Sequence, residues 1–162
     1  MTRAPTRGLG PADRPAAALL PLPLDPERVR LYRSSCAGGS GWLRRVVLTL
    51  SGGRAVALGN QVFLPDRCEA DSAVLAHELT HCAQYQAWGP LRYYGRGASV
   101  QLRHLLYRGL GVGRNPYAWD ADDARPFEAF GMEQQGQIVE DATRGHPAAR
   151  RLVTATPSRR PG

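Results

Sequence analysis

The sequence predicts an α+β fold, with short strands first and helices after them. Three observations carry that reading. Short apolar, β-branched pieces cluster before residue 65 around the turn signal Gly59-Asn60. Residues 72–88 form an unbroken helical stretch between a capping residue and Gly89-Pro90. A further helical stretch runs from about Met132 to Thr143.

The elements follow in order. Residues 1–24 are rich in Pro, Ala and Arg and are expected to be a disordered tail. Asp25 to Leu31 reads as the ordered start, and residues 34–41 (SSCAGGSG) as a loop. Leu43 to Leu50 (LRRVVLTL) has β-branched residues and partial alternation, so a strand is expected there. Residues 55–58 and 61–64 are two short extended pieces on either side of Gly59-Asn60. The helix over 72–88 takes Asp71 or Ser72 as its N-cap. Residues 91–110 are helical in their second half, from about Ser99 to Arg108, and glycines end them. Asn115 to Pro126 is a loop holding Asp120, Asp122 and Asp123. Gly145 and Pro147 close the last helix, and residues 144–162 read as a second, basic, disordered tail. One domain over 25–143 is the expectation for 162 residues.

The net charge of +7 comes from the ends. All 21 basic residues are Arg, and residues 15–143 carry as many acids as arginines. A neutral body argues against nucleic-acid binding, and no apolar run reaches the length of a membrane span. Ala16 to Leu24 (AAALLPLPL) is weakly like a secretion signal, but two prolines break it. The expected location is the cytoplasm, or export by a dedicated machine that needs no such signal. Cys36, Cys68 and Cys82 are odd in number and lack a C-x-x-C spacing, so no zinc ribbon or disulfide framework is expected; Cys82 is expected to pack.

His77-Glu78-Leu79-Thr80-His81 is an H-E-x-x-H. Residues four apart share one helix face, so His77 and His81 can point at a single ion. Glu78 lies about 100° around the helix, beside the ion, where it can take a proton from an activated water. A catalytic zinc also needs a third protein ligand. His104 and His146 read as surface residues, and the loop acids as solvated. Glu128, Glu133, Glu140 and Asp141 remain, and periodicity does not choose between Glu128 and Glu133. His104, Tyr93 or Tyr94 could stabilise an oxyanion, although packing is the simpler role for the tyrosines.

Three stretches in order, ALGNQVFLP (57–65), LAHELTHCAQYQ (75–86) and RPFEAFGMEQQGQIVEDA (125–142), resemble a group of small bacterial H-E-x-x-H proteins. That group is known as Vgr-related and is similar to the metallopeptidase-like core domain of contractile injection systems. The likeness spans roughly residues 25–143. Where the group has Val-Trp after the second His, this chain has Cys82-Ala83. The resemblance implies a minimal zincin-like domain: a short antiparallel or mixed sheet packed on the H-E-x-x-H helix, with two further helices. It implies Zn2+ held by His77, His81 and Glu133 as in gluzincins, Glu78 as catalytic base, and Gln134 or Asp141 orienting a ligand His. It also implies a peptide or protein substrate and a secretion-system partner. A non-catalytic adaptor or cargo module with structural zinc stands as the alternative, and an accidental motif on a core helix as the plainest one.

Overall fold

The computed structural model describes residues 8–36 and 38–156. Its elements are α1 (Arg14–Ala17), β1 (Arg30–Tyr32), α2 (Gly39–Leu50), β2 (Val56–Leu58), β3 (Gln61–Phe63), α3 (Ser72–Trp88), α4 (Pro90–Leu110), α5 (Met132–Thr143) and α6 (Pro147–Ala155). Single helical turns lie at Pro26–Arg28, Asp66–Cys68 and Phe127–Ala129. The architecture is α+β, with a three-stranded mixed sheet in the order β1-β3-β2. β1 runs parallel to β3, and β2 runs antiparallel to it. No described helix is long and apolar enough to cross a membrane.

The sheet is small because each strand has three residues, and its middle row does the packing. Leu31, Val62 and Ala57 are cross-strand partners, and all three are buried in the core cluster. Tyr32 and Phe63, one step along, stack at 4.3 Å between ring centroids. Gly59 takes φ +63° in the two-residue turn between β2 and β3, a conformation that favours glycine. A Cβ there would also stand 3.2 Å from the Tyr85 ring.

α3 is the central post. Leu75, Ala76, Leu79, Cys82 and Ala83 are all buried, with the sheet on one side and α5 on the other. Small residues at 76 and 83 let neighbours come close, and a helix covered this widely shows little amphipathic contrast. α5 contributes Ile138, Val139 and Ala142 to the same core. Cys36, Cys68 and Cys82 are free thiols, and burial raises the pKa of Cys82.

Asp71 caps α3, accepting from the Ala73 and Val74 amides at 3.0 and 3.2 Å, and Arg144 reaches it at 3.0 Å. Partial burial opposes ionisation of Asp71, but the Val74 amide and Arg144 outweigh it and lower its pKa. The cap therefore stabilises fully above the ordinary carboxylate pKa and loses its worth as pH falls through the lowered one. Asp71→Ala is expected to cost about 1 kcal/mol near neutral pH. The gap from wild type should close in acid, as read from urea midpoints at both conditions.

Three expectations are corrected. Residues 43–50 belong to helix α2, not to a strand. Leu43, Val46, Val47 and Leu50 recur at helical spacing, a period masked by their β-branched neighbours. Arg44 then fastens the helix to the end of β3, donating to the Leu64 carbonyl at 2.9 and 2.6 Å and pairing with Asp66 at 2.5 Å. α4 begins at Pro90, not near Ser99. Gly95 and Gly97 read as breakers, but Pro90 starts the helix and Tyr93 anchors its first turns. The segments outside 25–143 are also packed where they are described. Ala16 is fully buried, and Leu19, Leu20, Leu22 and Leu24 pack against the core, so the apolar run at 16–24 is a core strap. Asp13 pairs with Arg33 at 2.6 Å. α6 covers α5 with Ala149 and Val153. The tail expectations for 1–7 and 157–162 lie outside the described residues.

Candidate metal centre

His77 and His81 sit one turn apart on the face of α3 that meets α5, and Glu133 sits in the first turn of α5. The two Nε2 atoms are 3.2 Å apart. Glu133 Oε2 lies 3.4 Å from His81 Nε2 and 3.7 Å from His77 Nε2. Three donor atoms on buried or largely buried side chains thus converge on one point. Ligands about 2.0–2.1 Å from a tetrahedral zinc stand roughly 3.3 Å from one another, so this triangle has the size such an ion requires.

The outer nitrogens are held as well. Gln84 donates its amide to the Met132 carbonyl at 3.1 Å, so its oxygen is the atom turned toward His81 Nδ1 at 2.8 Å. His81 therefore carries its proton on Nδ1 and offers the Nε2 lone pair to the centre. Gln84 also donates to Gln135 Oε1 at 2.9 Å, locking α3 to α5. His77 Nδ1 stands 3.2 Å from Glu140 Oε2, an ion-pair contact outside hydrogen-bond alignment. Glu140 is held by Arg144 at 3.0 Å, and Arg144 also binds Asp71. Gly136 lets α5 pass beneath His77, since a Cβ there would lie 2.9 Å from its Nε2.

Charge agrees with geometry. Burial alone would lower His77, but the carboxylates of Glu133 and Glu140, with Glu78 behind them, raise it to about 10. Burial opposes the charge on Glu133, but the two imidazoles outweigh it and bring its pKa down. Burial lowers His81 as well, but Glu133 outweighs it and raises its pKa, so the carboxylates favour positive charge at this point. Glu78 is buried beside the pair, and desolvation raises its pKa while His77 and His81 pull the other way.

The cluster opens onto a cavity of about 760 Å³. Its walls are β2, the end of α2 with Val47 and Leu50, the Tyr94 and Gln101 side of α4, and Tyr117. β2 is the edge of the sheet here, and β3 is internal. The Tyr93 hydroxyl donates to the Ala57 carbonyl at 3.0 Å, tying α4 to β2. Both Tyr93 and Tyr94 line the cavity.

The expected residues divide clearly. His77, His81 and Glu133 come together, with Glu78 alongside. Glu128 does not join them; it is exposed on the turn at Phe127–Ala129. His104 meets the Tyr117 ring edge-on at 5.4 Å, and His146 caps α6. Gln134 and Asp141 orient no histidine. Gln134 bonds the Gly131 amide and the Ala118 carbonyl, and Asp141 accepts from Trp119 Nε1 at 2.8 Å and from Gln137 at 3.0 Å. Gln84 takes that role for His81 by a hydrogen bond, and Glu140 stands beside His77 as an ion-pair partner. Glu140 is seven residues, two turns, past Glu133, and Gln84 is three past His81, so helical spacing is the signal that points to both. Glu140→Ala is expected to weaken metal binding by ~10–100-fold in a chelator competition, whereas Asp141→Ala leaves it unchanged.

Residues 47–89 match a family model described as the eCIS core domain. The match runs from within α2 through the β2–β3 hairpin and all of α3, and so holds His77, Glu78 and His81 but not Glu133. It links the chain to the extracellular contractile injection systems. No curated protein and no solved structure matches the chain.

Proposed function

We propose that this chain is a zinc-dependent peptidase of the gluzincin-like, minimal zincin kind, working in association with a contractile injection system. The observation that carries the reading is the convergence of His77 Nε2, His81 Nε2 and Glu133 Oε2 within 3.2–3.7 Å, at the floor of a cleft that Glu78 also lines. The link to an injection system rests on the matched segment at 47–89.

A zinc ion at this point would supply Lewis acidity to a water and to the scissile carbonyl. The chain's own residues do the rest. Gln84 holds the His81 imidazole in the tautomer that presents Nε2, and Glu140 stands against His77 Nδ1 as its ion-pair partner. Glu78 accepts a proton from the attacking water on its carboxylate and returns it to the leaving amine. Desolvation raises its pKa, which helps it hold the transferred proton until the leaving amine takes it. A peptide in the cleft lies along β2, the sheet edge that borders it. With the Ala57 carbonyl already taken by Tyr93, backbone pairing there is short. The apolar walls from Val47, Leu50, Val56 and Leu58 then contribute to binding.

Element analysis by mass spectrometry on untagged wild type and Glu133→Ala tests the metal. Near one zinc per chain, lost in the variant, supports the reading. An unmetallated wild type after zinc addition sinks it and leaves an adaptor or cargo module whose α3 is a core helix.

A further inference from the structure

Among the described residues, the outward side of α4 has no partner. Leu91, Gly95, Ala98, Leu102, Leu105 and Gly109 recur in alternating steps of four and three, the heptad spacing of a helix–helix seam. Tyr93, on the opposite side, is the buried one. Leu91 is 91% exposed, Leu102 59%, Leu105 68% and Leu110 71%. Clustered leucines left this open on one helix face mark an interaction surface.

Beside the seam lies a second cavity of about 730 Å³, between α4 and the turn before α5. Arg92, Arg96 and Arg103 line it, with Glu128 on the far wall. Arg96 also stacks on Trp88 at 4.2 Å. Among the described residues, Arg92, Arg103 and Arg108 make no ion pair. From Leu79 to Trp119 the chain carries five arginines and neither Asp nor Glu. The body is neutral on average, but this face is basic.

We propose that the outward face of α4 docks an acidic amphipathic helix from a protein partner. Apolar residues of that helix fill the seam between the leucines, where Gly95, Ala98 and Gly109 leave holes, and its acids meet Arg92 and Arg103 in the adjoining cavity. A second copy of this chain would set arginine against arginine. The terminal segments 1–7 and 157–162 bring only further arginines, so they do not fit either. A bilayer is flat and would leave the basic cavity unfilled, and the seam offers neither Trp nor Phe for the interface. Ala98 borders the metal cleft, but Leu102, Leu105, Arg92 and Arg103 lie outside it, so the proposal stands apart from the peptidase reading.

Two synthetic helical peptides of about 20 residues test it, with one leucine heptad seam and either Glu or Lys flanks. Fluorescence anisotropy against the full chain is expected to show the Glu peptide binding at least ~10-fold tighter at low salt, the gap narrowing as salt rises. Leu102→Ser with Leu105→Ser removes that binding. Arg92→Glu with Arg103→Glu reverses the preference. Both pairs are exposed, and circular dichroism verifies their fold. Equal binding of the two peptides, or of neither by wild type, overturns the proposal. So does stronger association with phosphatidylglycerol vesicles than with the Glu peptide, or a wild-type dimer in sedimentation that the leucine variant abolishes.

Discussion

Glu78→Gln will retain the wild-type zinc content and lose peptide hydrolysis by ~10²–10⁴-fold. The amide matches the carboxylate in size, and Glu78 is not one of the three residues whose donor atoms converge, so the metal cluster has no reason to change. It cannot accept a proton at neutral pH, and the neighbouring carboxylates are engaged elsewhere. Glu133 faces both histidines, and Glu140 is held by His77 and Arg144. The comparison is made on zinc-loaded protein with a mixed peptide pool, with cut sites read by mass spectrometry. Wild-type cleavage that survives the substitution would end the peptidase assignment. Zinc binding with no cleavage in wild type would favour a structural metal in an adaptor or cargo module.

The second large effect is on metal and stability together. His77→Ala and Glu133→Ala each remove one of the three proposed ligands, which lie across α3 and α5, the most extensive helix pair in the fold. Binding to the folded state alone stabilises by about 3–4 kcal/mol when free zinc exceeds its Kd by about 100–1000-fold. Zinc should raise the wild-type Tm by ~10 °C and leave both variants unmoved. Differential scanning fluorimetry with and without a chelator reads this directly. A wild type indifferent to zinc would show that the convergence of the three donors serves packing alone.

Much of the candidate site is legible from spacing. Two histidines four apart on a capped helix can face only one way, and residues 72–88 form that helix. The choice of Glu133 over Glu128 is open to periodicity. Packing brings Glu133, in the first turn of α5, to both histidines, while Glu128 is left on an exposed turn. Polarity near a site does not reveal which way a side chain points, so Gln134 and Asp141 read as orienting residues although neither side chain bonds His77 or His81. Glu140 instead faces His77 through a two-turn repeat along α5, and Gln84 reaches His81 from the same helix. A lone tyrosine in a loop carries no local signal that it lines a cleft, yet Tyr117 does.

The sequence by itself determined the α+β order, the β2–β3 hairpin, the helix that bears the motif, its Asp71 cap and the pair of histidines. These depend on neighbours within a turn or a strand's width, where local sterics and hydrogen bonding govern. The tertiary structure alone decided that 43–50 is a helix, that the apolar run at 16–24 is a core strap and that 147–155 covers α5. Each of these rests on burial against residues far away in the chain. Apolar area removed from water counts the same whichever part of the sequence supplies the covering surface, so no local pattern announces it.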